Sequence, residues 1–499
     1  MEKVFILAID QGTSSTKTLI FNTQGEVVAK ATETLKTNYL EGGLVEQDPD
    51  DIYDNVLRSV KACLSNFTAQ GGDVNQISSC GISNQRETFV VWDETGKALS
   101  PAVVWQCKRS IAICEELNTK PGMAEKVKNK TGLIIDPYFS GTKLMWLNQH
   151  QEAVSRKIKE GKAFFGTVDT WLLYKLSGGT TYLTDYSNAS RTLLFNLETL
   201  QWDEELIGLL GLSGIQLPEP KPSAYAFGNS TFEGLFTSPL AITAMIGDSH
   251  AAAFGEGCLS PGTAKATLGT GCSILMNTGS TPKSSSTGMM STICWSTEER
   301  VDYALEGVIV SCGSTIEWLK NEIGLFSDSR DTEQMAAAVT DNNGVYIVPA
   351  FSGLGAPYWD MNCKAAIEGL SFESNKNHIA RAALEVIPFQ IKDILEAMQT
   401  DTGLSIHELM INGGISSNSF VMDFLADLLD ARIIKSSIPD ISALGAAYLS
   451  GLGAGIYQNL EELKQLFGSR TTVRPEKHFQ AEQYYQEWKQ VILKKLRTE

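Results

Sequence analysis

Two short apolar runs in this sequence each end at an acidic residue, and they lie about half a chain apart. Residues 4–9 (VFILAI) lead into Asp10, and residues 241–246 (AITAMI) are followed by a glycine and then Asp248. A short apolar run bounded by turn residues is typical of a strand that is buried on both faces. Because a turn rich in Gly, Thr and Ser lies near each run, the sequence predicts two related α/β halves that arose by structural duplication.

The segment after the first run predicts further elements. Residues 18–21 and 26–31 predict two more strands joined by a turn. Asp48 and Pro49 predict a helix start, because Asp is a favoured N-cap and Pro suits the first helical position. The predicted domains are 1–250 and 251–499.

Composition and charge exclude several classes of protein. The 499 residues include 41 basic and 58 acidic side chains, which give a formal net charge of −17. An acidic surface repels nucleic acids and anionic membranes, so we expect neither as a partner. Nine scattered cysteines without a CxxC motif predict reduced thiols and a cytoplasmic protein, not a disulfide scaffold or a zinc site. No apolar run approaches the roughly 18 residues that indicate a membrane-spanning helix.

The residues that follow the first apolar run form a candidate phosphate site. Asp10 is followed by glutamine and glycine and then by Thr13, Ser14, Ser15 and, one residue further, Lys17. A glycine lets backbone amides turn toward an anion, while hydroxyls and a lysine add donors. The acid can hold Mg²⁺ through water. The alternative is a plain hairpin turn, because short motifs of this kind are common.

Two glycine-rich turns in the second half are further candidates. Gly269, Thr270 and Gly271 can form a second phosphate cradle, and residues 413–414 with Asn418 can border an adenine base. Each is equally compatible with an ordinary turn. The sequence contains no Walker A loop and neither the HRD nor the DFG motif of protein kinases. A phosphoryl transferase with this sequence must therefore use another architecture.

Several residues of the first half suggest a site for a small hydroxylated ligand. Arg86 and Glu87 follow a strand-like stretch, and the first can donate hydrogen bonds while the second accepts them. Trp105 and Tyr138 can supply apolar walls. Asp248 can accept the proton of an attacking hydroxyl. The alternatives are a surface ion pair, core packing and a helix N-cap, respectively.

Taken together and in order, these segments resemble the FGGY carbohydrate kinases, and within that family the glycerol kinases. The first family signature is matched by residues 138–150 and the second by residues 365–385. The other stretches similar to glycerol kinases are 45–49, 84–88, 104–107, 166–171, 184–192 and 349–359. The resemblance covers nearly the whole chain, and an ordered match of many segments is highly specific.

The resemblance implies an α/β fold with two ribonuclease-H-like domains, as in actin-like ATPases, and a cleft between them. It implies that the first domain contacts the acceptor and the phosphates, that the second binds the nucleotide, and that ATP and Mg²⁺ are used, with Asp10 at the metal. The implied acceptor-site residues are Arg86, Glu87, Trp105, Tyr138, Asp248 and Ser249, with Asp248 as the general base. The implied phosphate and nucleotide residues are Thr13, Ser14, Ser15, Lys17, Thr270, Gly313, Glu317, Gly414 and Asn418. A homo-oligomer, either a dimer or a tetramer, is also implied.

Five positions depart from the glycerol kinase pattern. Ser249 and His250 stand where two glutamines are usual, and Ser273 stands where a phenylalanine usually packs on glycerol. Asn412 replaces an aspartate before the Gly-Gly turn, and Glu317 replaces a glutamine near the adenine. The two serines remove bulk from the acceptor side, so the pocket can admit a longer polyol or a ketose.

The leading hypothesis is ATP-dependent phosphorylation of glycerol to glycerol 3-phosphate by in-line transfer in a closing interdomain cleft. The first alternative is an FGGY kinase of another small polyol or ketose, of the erythritol, xylulose or ribulose type. The second is a non-catalytic, actin-like nucleotide-binding regulator, because a fold alone does not determine function. The acceptor-pocket residues argue against the regulator, since a nucleotide sensor needs no such pocket.

Overall fold

The computed structural model describes residues 4–436, 438, 440–467 and 470–498. The strands up to residue 247 are β1 (Phe5–Gln11), β2 (Ser15–Asn22), β3 (Val27–Thr34), β4 (Asn38–Tyr39), β5 (Val45–Gln47), β6 (Ile77–Asn84), β7 (Phe89–Asp93), β8 (Ala102–Val103), β9 (Ala163–Thr167), β10 (Leu183–Asp185), β11 (Phe195–Asn196), β12 (Gln201–Trp202), β13 (Glu219–Lys221), β14 (Ala224–Ser230) and β15 (Leu240–Gly247). The helices up to residue 255 are α1 (Pro49–Ala69), α2 (Ile111–Thr119), α3 (Met123–Thr131), α4 (Ser140–His150), α5 (Glu152–Lys159), α6 (Val168–Leu176), α7 (Tyr186–Ala189), α8 (Glu204–Leu209) and α9 (Asp248–Gly255).

The second half continues with further strands and helices. The strands are β16 (Ala264–Leu268), β17 (Cys272–Gly279), β18 (Met290–Ser296), β19 (Val301–Ile309), β20 (Tyr346–Val348), β21 (Ala366–Glu368), β22 (Glu408–Asn412), β23 (Arg432–Lys435) and β24 (Thr471–Val473). The helices are α10 (Gly313–Asn321), α11 (Asp331–Ala337), α12 (Lys376–Thr402), α13 (Ser419–Leu429), α14 (Ile441–Gly453), α15 (Leu460–Lys464) and α16 (Ala481–Thr498). Within the described ranges, no helix is both long enough and apolar enough to cross a membrane.

The two large sheets share one strand arrangement, as the predicted duplication requires. The first sheet has the order β3-β2-β1-β6-β15-β14, in which β1, β6 and β15 are parallel and β2 is antiparallel to its neighbours. The second has the order β18-β19-β17-β16-β22-β23-β24, in which β16, β22 and β23 are parallel and β17 is antiparallel to both β16 and β19. The β16–β17 turn is therefore the counterpart of the β1–β2 turn.

One detail of the predicted duplication was wrong. The sequence pairs the strand that ends at Asp10 with the strand that ends at Asp248 as equivalents in two halves. In the structure both strands belong to the first sheet, where β6 separates them. The run at 241–246 was assigned to the wrong repeat because a buried parallel strand has the same pattern at any position in a sheet.

The first sheet is buried on both faces because its central strands alternate between two apolar layers. Phe5, Leu7 and Ile9 of β1 pack in one core with α1, while Ile6 and Ala8 pack in another with α14. The predicted start of α1 is confirmed: the Asp48 side chain accepts hydrogen bonds from the first turn of the helix, and Pro49 occupies its first position. A side-chain period of two thus determines which helix each residue meets.

Helix α14 comes from the second half of the chain but packs on the first sheet. It contacts β1, β6 and β15 and lies against α9. The approach to α9 is so close that a Cβ atom at Gly445 would collide with the backbone of Ala251. Asp440, just before α14, forms ion pairs with Lys17 at 3.1 Å and with Lys30 at 2.5 Å. The boundary near residue 250 remains a prediction, but the two halves are tightly interlocked there.

A smaller five-stranded sheet, of order β4-β5-β8-β7-β9, lies beside the first. Its core includes Phe89, Val104 and Phe165 together with Leu144 of α4. Trp105 and Tyr138 are partly buried against this core. The small sheet therefore supports both aromatic residues that were predicted to line the acceptor pocket.

Candidate active site

The carboxyl ends of three parallel strands bring the predicted acceptor-site residues to one edge of the first sheet. β6 lies between β1 and β15; Asp10 is opposite Ser83, and β15 ends beside Asn84. Ligands of α/β folds commonly bind at the carboxyl ends of parallel strands. Residues 86–87 follow β6 and Asp248 follows β15, so strand topology alone makes them neighbours.

Four buried charged side chains, Arg86, Glu87, Arg191 and Glu306, form what we call the charge cluster. Arg86 Nη2 donates to Glu306 Oε1 at 2.9 Å, and Arg191 Nη1 lies 2.7 Å from Glu306 Oε2. Arg191 Nε donates to Glu87 Oε1 at 2.7 Å. Burial opposes the ionisation of Glu306, but the two arginines outweigh it and hold its pKa well below its usual range. Because Glu306 belongs to β19 of the second sheet, the cluster joins the two domains electrostatically.

Glu87 has a left-handed backbone conformation, with φ at 60°. This region is unfavourable for a residue with a side chain, and such residues concentrate at functional sites where their surroundings fix them. Two contacts hold Glu87 there: Ser140 Oγ donates to its carbonyl oxygen at 2.8 Å, and Arg191 binds its carboxylate. The orientation of Glu87 is therefore set by α4 and by the charge cluster.

Asp248 is partly exposed, unlike the acids of the charge cluster. Its side chain is 39% exposed, whereas those of Glu306 and Glu87 are 0% and 1% exposed. Arg86 Nε lies 3.4 Å from Asp248 Oδ1, which also accepts from the backbone N–H of Ser249. Burial raises the pKa of Asp248, and Arg86 opposes that rise. A carboxylate that is oriented by an arginine and open on one side can accept a proton.

Asp10 faces this carboxylate from the end of β1. Ser83 Oγ donates to Asp10 Oδ1 at 3.0 Å. Burial and the charge of Asp248 raise the pKa of Asp10 to about 6, although Lys17 lowers it. No cluster of three or more metal-binding side chains occurs among the residues that the structure describes. The site fits Mg²⁺ nonetheless, because this ion is commonly bound by one or two carboxylates together with substrate phosphates, and a cation would relieve the repulsion between the two acids.

Trp105 and Tyr138 form an aromatic wall. Their rings meet edge to face with centroids 5.6 Å apart. Trp105 Nε1 donates to Thr13 Oγ1 at 2.9 Å, and the Arg191 guanidinium lies 5.8 Å from the centroid of the Tyr138 ring. The wall therefore contacts both the β1–β2 turn and the charge cluster.

Lys143 lies behind this wall and holds its backbone in place. Its Nζ donates to the carbonyl oxygens of Val104, Trp105 and Tyr138 at 3.3, 3.2 and 3.0 Å. The side chain is buried, and burial lowers its pKa to about 8 against the opposing charge of Glu87. One ammonium group thus holds together the two segments that carry the aromatic rings.

Ser249 lies beside Asp248 in a polar environment. Ser249 Oγ accepts from Lys265 Nζ at 2.7 Å and lies 3.1 Å from Ser273 Oγ. Lys265 is buried on β16, and its pKa is lowered by burial and by the charge of Arg86. The two positions that depart from the glycerol kinase pattern on the acceptor side are therefore in direct contact.

The predicted phosphate segment forms the β1–β2 turn, which is closed by a hydrogen bond from the amide of Gly12 to the carbonyl of Ser15 at 2.9 Å. Thr13 Oγ1 is already engaged, since it donates to Gln85 Oε1 at 3.2 Å and accepts from the indole of Trp105. Ser14 is exposed, Ser15 is half-buried, and Lys17 is ion-paired with Asp440. Ser14 and Ser15 are therefore the more accessible hydroxyls of this turn.

The β16–β17 turn contains Thr270, which is exposed. The amide of Gly313, at the start of α10, donates to the carbonyl of Gly269 at 3.0 Å. A Cβ atom at Gly313 would lie 2.7 Å from that oxygen, so only glycine permits this approach. The turn and the N-terminus of α10 thus form one surface whose amides can face an anion.

The remaining predicted nucleotide residues lie at helix ends and on the surface. Gly414 begins a short 3-10 turn, and Asn418 caps α13 by accepting from the amide of Val421 at 3.1 Å. Glu317 is exposed on α10, where it pairs with Lys320 at 2.9 Å and accepts from Ser329 Oγ. Asn418 and Glu317 therefore have partners within the chain.

Family models match both halves of the chain. The N-terminal domain of the FGGY family of carbohydrate kinases matches residues 5–255, and its C-terminal domain matches residues 264–454. This chain belongs to the FGGY family of carbohydrate kinases. It is therefore an ATP-dependent kinase of a sugar or polyol, as the sequence predicted.

Relatives of this FGGY kinase extend over its full length. A protein named glycerol kinase from Desulfitobacterium hafniense is 43% identical over 98% of this chain and 99% of its own. One with the same name from Carboxydothermus hydrogenoformans is 42% identical over 99% of this chain and 98% of its own. Similarity at this level runs across both domains and is not confined to the nucleotide side.

Solved structures confirm the predicted fold class for this FGGY kinase. The glycerol kinase of Plasmodium falciparum, solved with ADP, superposes with a TM-score of 0.93 at 32% identity and covers 99% of this chain and 98% of its own. A gluconate kinase from Lactobacillus acidophilus gives a TM-score of 0.89 at 21% identity over 99% and 98% of the two chains, which shows the fold alone.

Four residues of the site of this FGGY kinase were not predicted from the sequence. They are Lys143, Arg191, Lys265 and Glu306. Lys143 and Arg191 lie within stretches that carried the family resemblance, so their place in those stretches was a signal that could have identified them as site residues. Lys265 and Glu306 lie inside strands, where a single charged residue usually indicates the solvent face of a sheet.

Proposed function

We propose that this FGGY kinase transfers the γ-phosphoryl group of ATP to a terminal hydroxyl of glycerol, with Asp248 as the general base. The observation that carries this proposal is the position of Asp248, which lies against Arg86 and is partly exposed. The glycerol kinase names of the full-length relatives support glycerol as the acceptor.

In this mechanism Asp248 accepts the proton of the attacking hydroxyl as its oxygen bonds to the γ-phosphorus of ATP, and the bond from that phosphorus to ADP breaks. Phosphoryl transfer depends mainly on alignment and charge stabilisation, so the pocket acts largely by positioning. Arg86 orients Asp248, and Glu306 in turn orients Arg86. Trp105 and Tyr138 pack against the carbon chain of the acceptor and exclude water from it.

Residues of both domains hold the donor. Mg²⁺, when bound, supplies neutralising charge at the phosphates, and Asp10 is the residue that would hold it, through water. The proposed phosphate and nucleotide residues are Thr13, Ser14, Ser15, Lys17, Thr270, Gly313, Glu317, Gly414 and Asn418. Closure of domains 1–250 and 251–499 excludes water that would otherwise hydrolyse ATP. A cytoplasmic location and a homo-oligomeric state remain predictions, the second measurable by size-exclusion chromatography with light scattering.

Replacement of Asp248 by Asn tests the proposed base. General base catalysis typically contributes about 10²–10⁴-fold, so we expect kcat with glycerol and MgATP to fall by at least about a hundredfold. ATP affinity, measured by calorimetry, should stay within about threefold of wild type, because Asn keeps the size of the side chain. Asp54→Asn, on the exposed face of α1, is the matched control. Turnover of Asp248→Asn within about tenfold of wild type would refute Asp248 as the base.

Membership of the FGGY carbohydrate kinases argues against the non-catalytic regulator. The regulator hypothesis predicts ATP binding without phosphorylation of any acceptor, which the same assay measures. Membership of a carbohydrate kinase family, together with the open carboxylate of Asp248, favours the enzyme. Of the two alternatives, a kinase of a different polyol has more support in the structure than the regulator has.

A further inference from the structure

A chain of hydrogen bonds beside Asp248 is not used by the proposed mechanism. Lys265 Nζ donates to Ser249 Oγ at 2.7 Å and to Thr267 Oγ1 at 3.1 Å. Ser249 Oγ lies 3.1 Å from Ser273 Oγ, which donates to Glu306 Oε1 at 3.1 Å. We call the sequence Lys265–Ser249–Ser273–Glu306 the hydroxyl relay. It runs from β16 through α9 and β17 to β19, next to the open side of Asp248.

The direction of every bond in the hydroxyl relay is set by its two ends. Lys265 donates at one end, and Glu306, which the two arginines of the charge cluster keep ionised, can only accept at the other. Ser249 therefore accepts from Lys265 and donates its single proton to Ser273, which donates its own proton to Glu306. Both hydroxyl protons are thus in use, while each oxygen retains a lone pair that can accept one more hydrogen bond.

The two serines are the accessible part of the hydroxyl relay. Ser249 and Ser273 are both partly exposed, whereas Lys265 and Glu306 are 1% and 0% exposed. Ser249 directly follows Asp248, so both residues lie at the start of α9. Both serines are therefore partly exposed close to the carboxylate that an acceptor hydroxyl must reach.

We infer that Ser249 and Ser273 form an additional acceptor subsite that binds a hydroxyl group beyond the three carbons of glycerol, so that a four-carbon linear alditol is the preferred substrate. This inference rests on the proposed function, because it assumes polyol phosphorylation at Asp248. Both side chains are short and partly exposed, so we expect them to admit another CH(OH) unit. The subsite selects ligand groups that donate a hydrogen bond, because the hydroxyl protons of Ser249 and Ser273 are already used within the hydroxyl relay.

This polarity separates classes of acceptor. An alcohol can donate a proton to the free lone pairs of Ser249 and Ser273. A ketone carbonyl or a carboxylate has no proton to donate, and its presence would leave those polar atoms unpaired, which costs affinity. The hydroxyl relay therefore favours alditols over ketoses and over sugar acids of the same length.

A matched set of acceptors tests the subsite with the wild-type protein and MgATP. Erythritol adds one CH(OH) unit to glycerol, and 1,2,3-butanetriol has the same four carbons without one terminal hydroxyl. A net hydrogen bond contributes about 1 kcal/mol, so we expect kcat/KM for erythritol to exceed that for glycerol and that for 1,2,3-butanetriol by about fivefold. The four-carbon ketose erythrulose should be a poorer acceptor than erythritol.

Two substitutions then locate the effect. Ser273→Ala removes one acceptor of the subsite, so the erythritol-to-glycerol ratio of kcat/KM should fall about fivefold. Ser273→Phe fills the same space and should abolish the preference for erythritol while glycerol remains a substrate. Ser65→Ala, on the exposed side of α1, is the matched serine control and should leave the ratio unchanged.

The outcomes distinguish the two proposals. Phosphorylation of glycerol with an erythritol-to-glycerol ratio below one would overturn the subsite and leave the proposed function standing. A ratio above one that Ser273→Ala does not change would also overturn the subsite. Failure to phosphorylate any of these polyols would overturn both. A ratio above one that falls in Ser273→Ala but not in Ser65→Ala would support the subsite.

Discussion

Asp10 is an acid that this fold holds at a cost in stability, and its replacement by Asn should make the protein more stable. Its pKa rises from an ordinary 3.8 to about 6, first because of burial and then because of the facing charge of Asp248. Asn has a similar shape, keeps an oxygen for the hydroxyl of Ser83, and carries no charge. The substitution therefore removes the electrostatic cost without opening a cavity.

The size of the effect follows from the pKa shift. A carboxyl with a raised pKa holds a proton in the folded protein that the unfolded chain releases, so stability falls as the pH rises from 3.8 to about 6 and the cost is complete above that range. A shift of about two units corresponds to about 3 kcal/mol. With about 2.1 cal/mol/K of unfolding entropy per residue, this predicts a rise in Tm of about 3 °C for Asp10→Asn at neutral pH.

Differential scanning calorimetry of the protein without metal or nucleotide measures this effect. We expect the gain from Asp10→Asn to be about 3 kcal/mol at about pH 8 and below about 1 kcal/mol at about pH 4, where the native carboxyl is mostly protonated. Asp54→Asn, exposed on α1, is the control and should show no such dependence on pH. A lower Tm for Asp10→Asn at about pH 8, or an equal gain at both pH values, would refute the reasoning. If Asp10 also holds Mg²⁺, MgATP should stabilise the wild type more than the variant.

Three further substitutions should separate the functions of the site. Lys143→Met removes the ammonium group that the carbonyl oxygens of Val104, Trp105 and Tyr138 share, so the KM for the acceptor should rise about tenfold while the KM for ATP stays unchanged in steady-state assays. Gly313→Ala places a methyl group 2.7 Å from the carbonyl of Gly269 and should have the opposite effect, raising only the KM for ATP. If either variant raised the KM for the acceptor and the KM for ATP equally, the assignment of that residue to one substrate would be contradicted. Glu306→Gln leaves two buried arginines without their shared carboxylate, so it should lower the unfolding free energy by about 3–5 kcal/mol in denaturant titrations. A loss below about 1 kcal/mol would show that the charge cluster does not stabilise the contact between the two domains.

Local patterns in the sequence predicted local structure well. The strand at residues 4–9, the strands at 18–21 and 26–31, and the start of α1 at Asp48 and Pro49 all lie where the sequence indicated, within a few residues. Each depends on interactions between residues close in sequence, such as a cap or a side-chain period, which a single chain displays directly.

The contacts that build the site join residues far apart in the chain. Glu306 gives no signal in the sequence, because its importance comes from Arg86 and Arg191, which belong to the other domain. Lys17 was expected near phosphate, but it forms an ion pair with Asp440, which lies far along the chain in the second half. Pairing across such distances depends on the tertiary fold, and one sequence contains no direct record of it.

The position of α14 on the first sheet has a consequence for how this protein is made. The face of that sheet formed by Ile6, Ala8 and Ile246 remains uncovered on the ribosome until residues 441–453 have emerged. The first domain therefore cannot complete its core as an independent unit during translation, although it is the first to be synthesised. A nascent chain of this kind exposes an apolar, strand-rich surface for most of its synthesis.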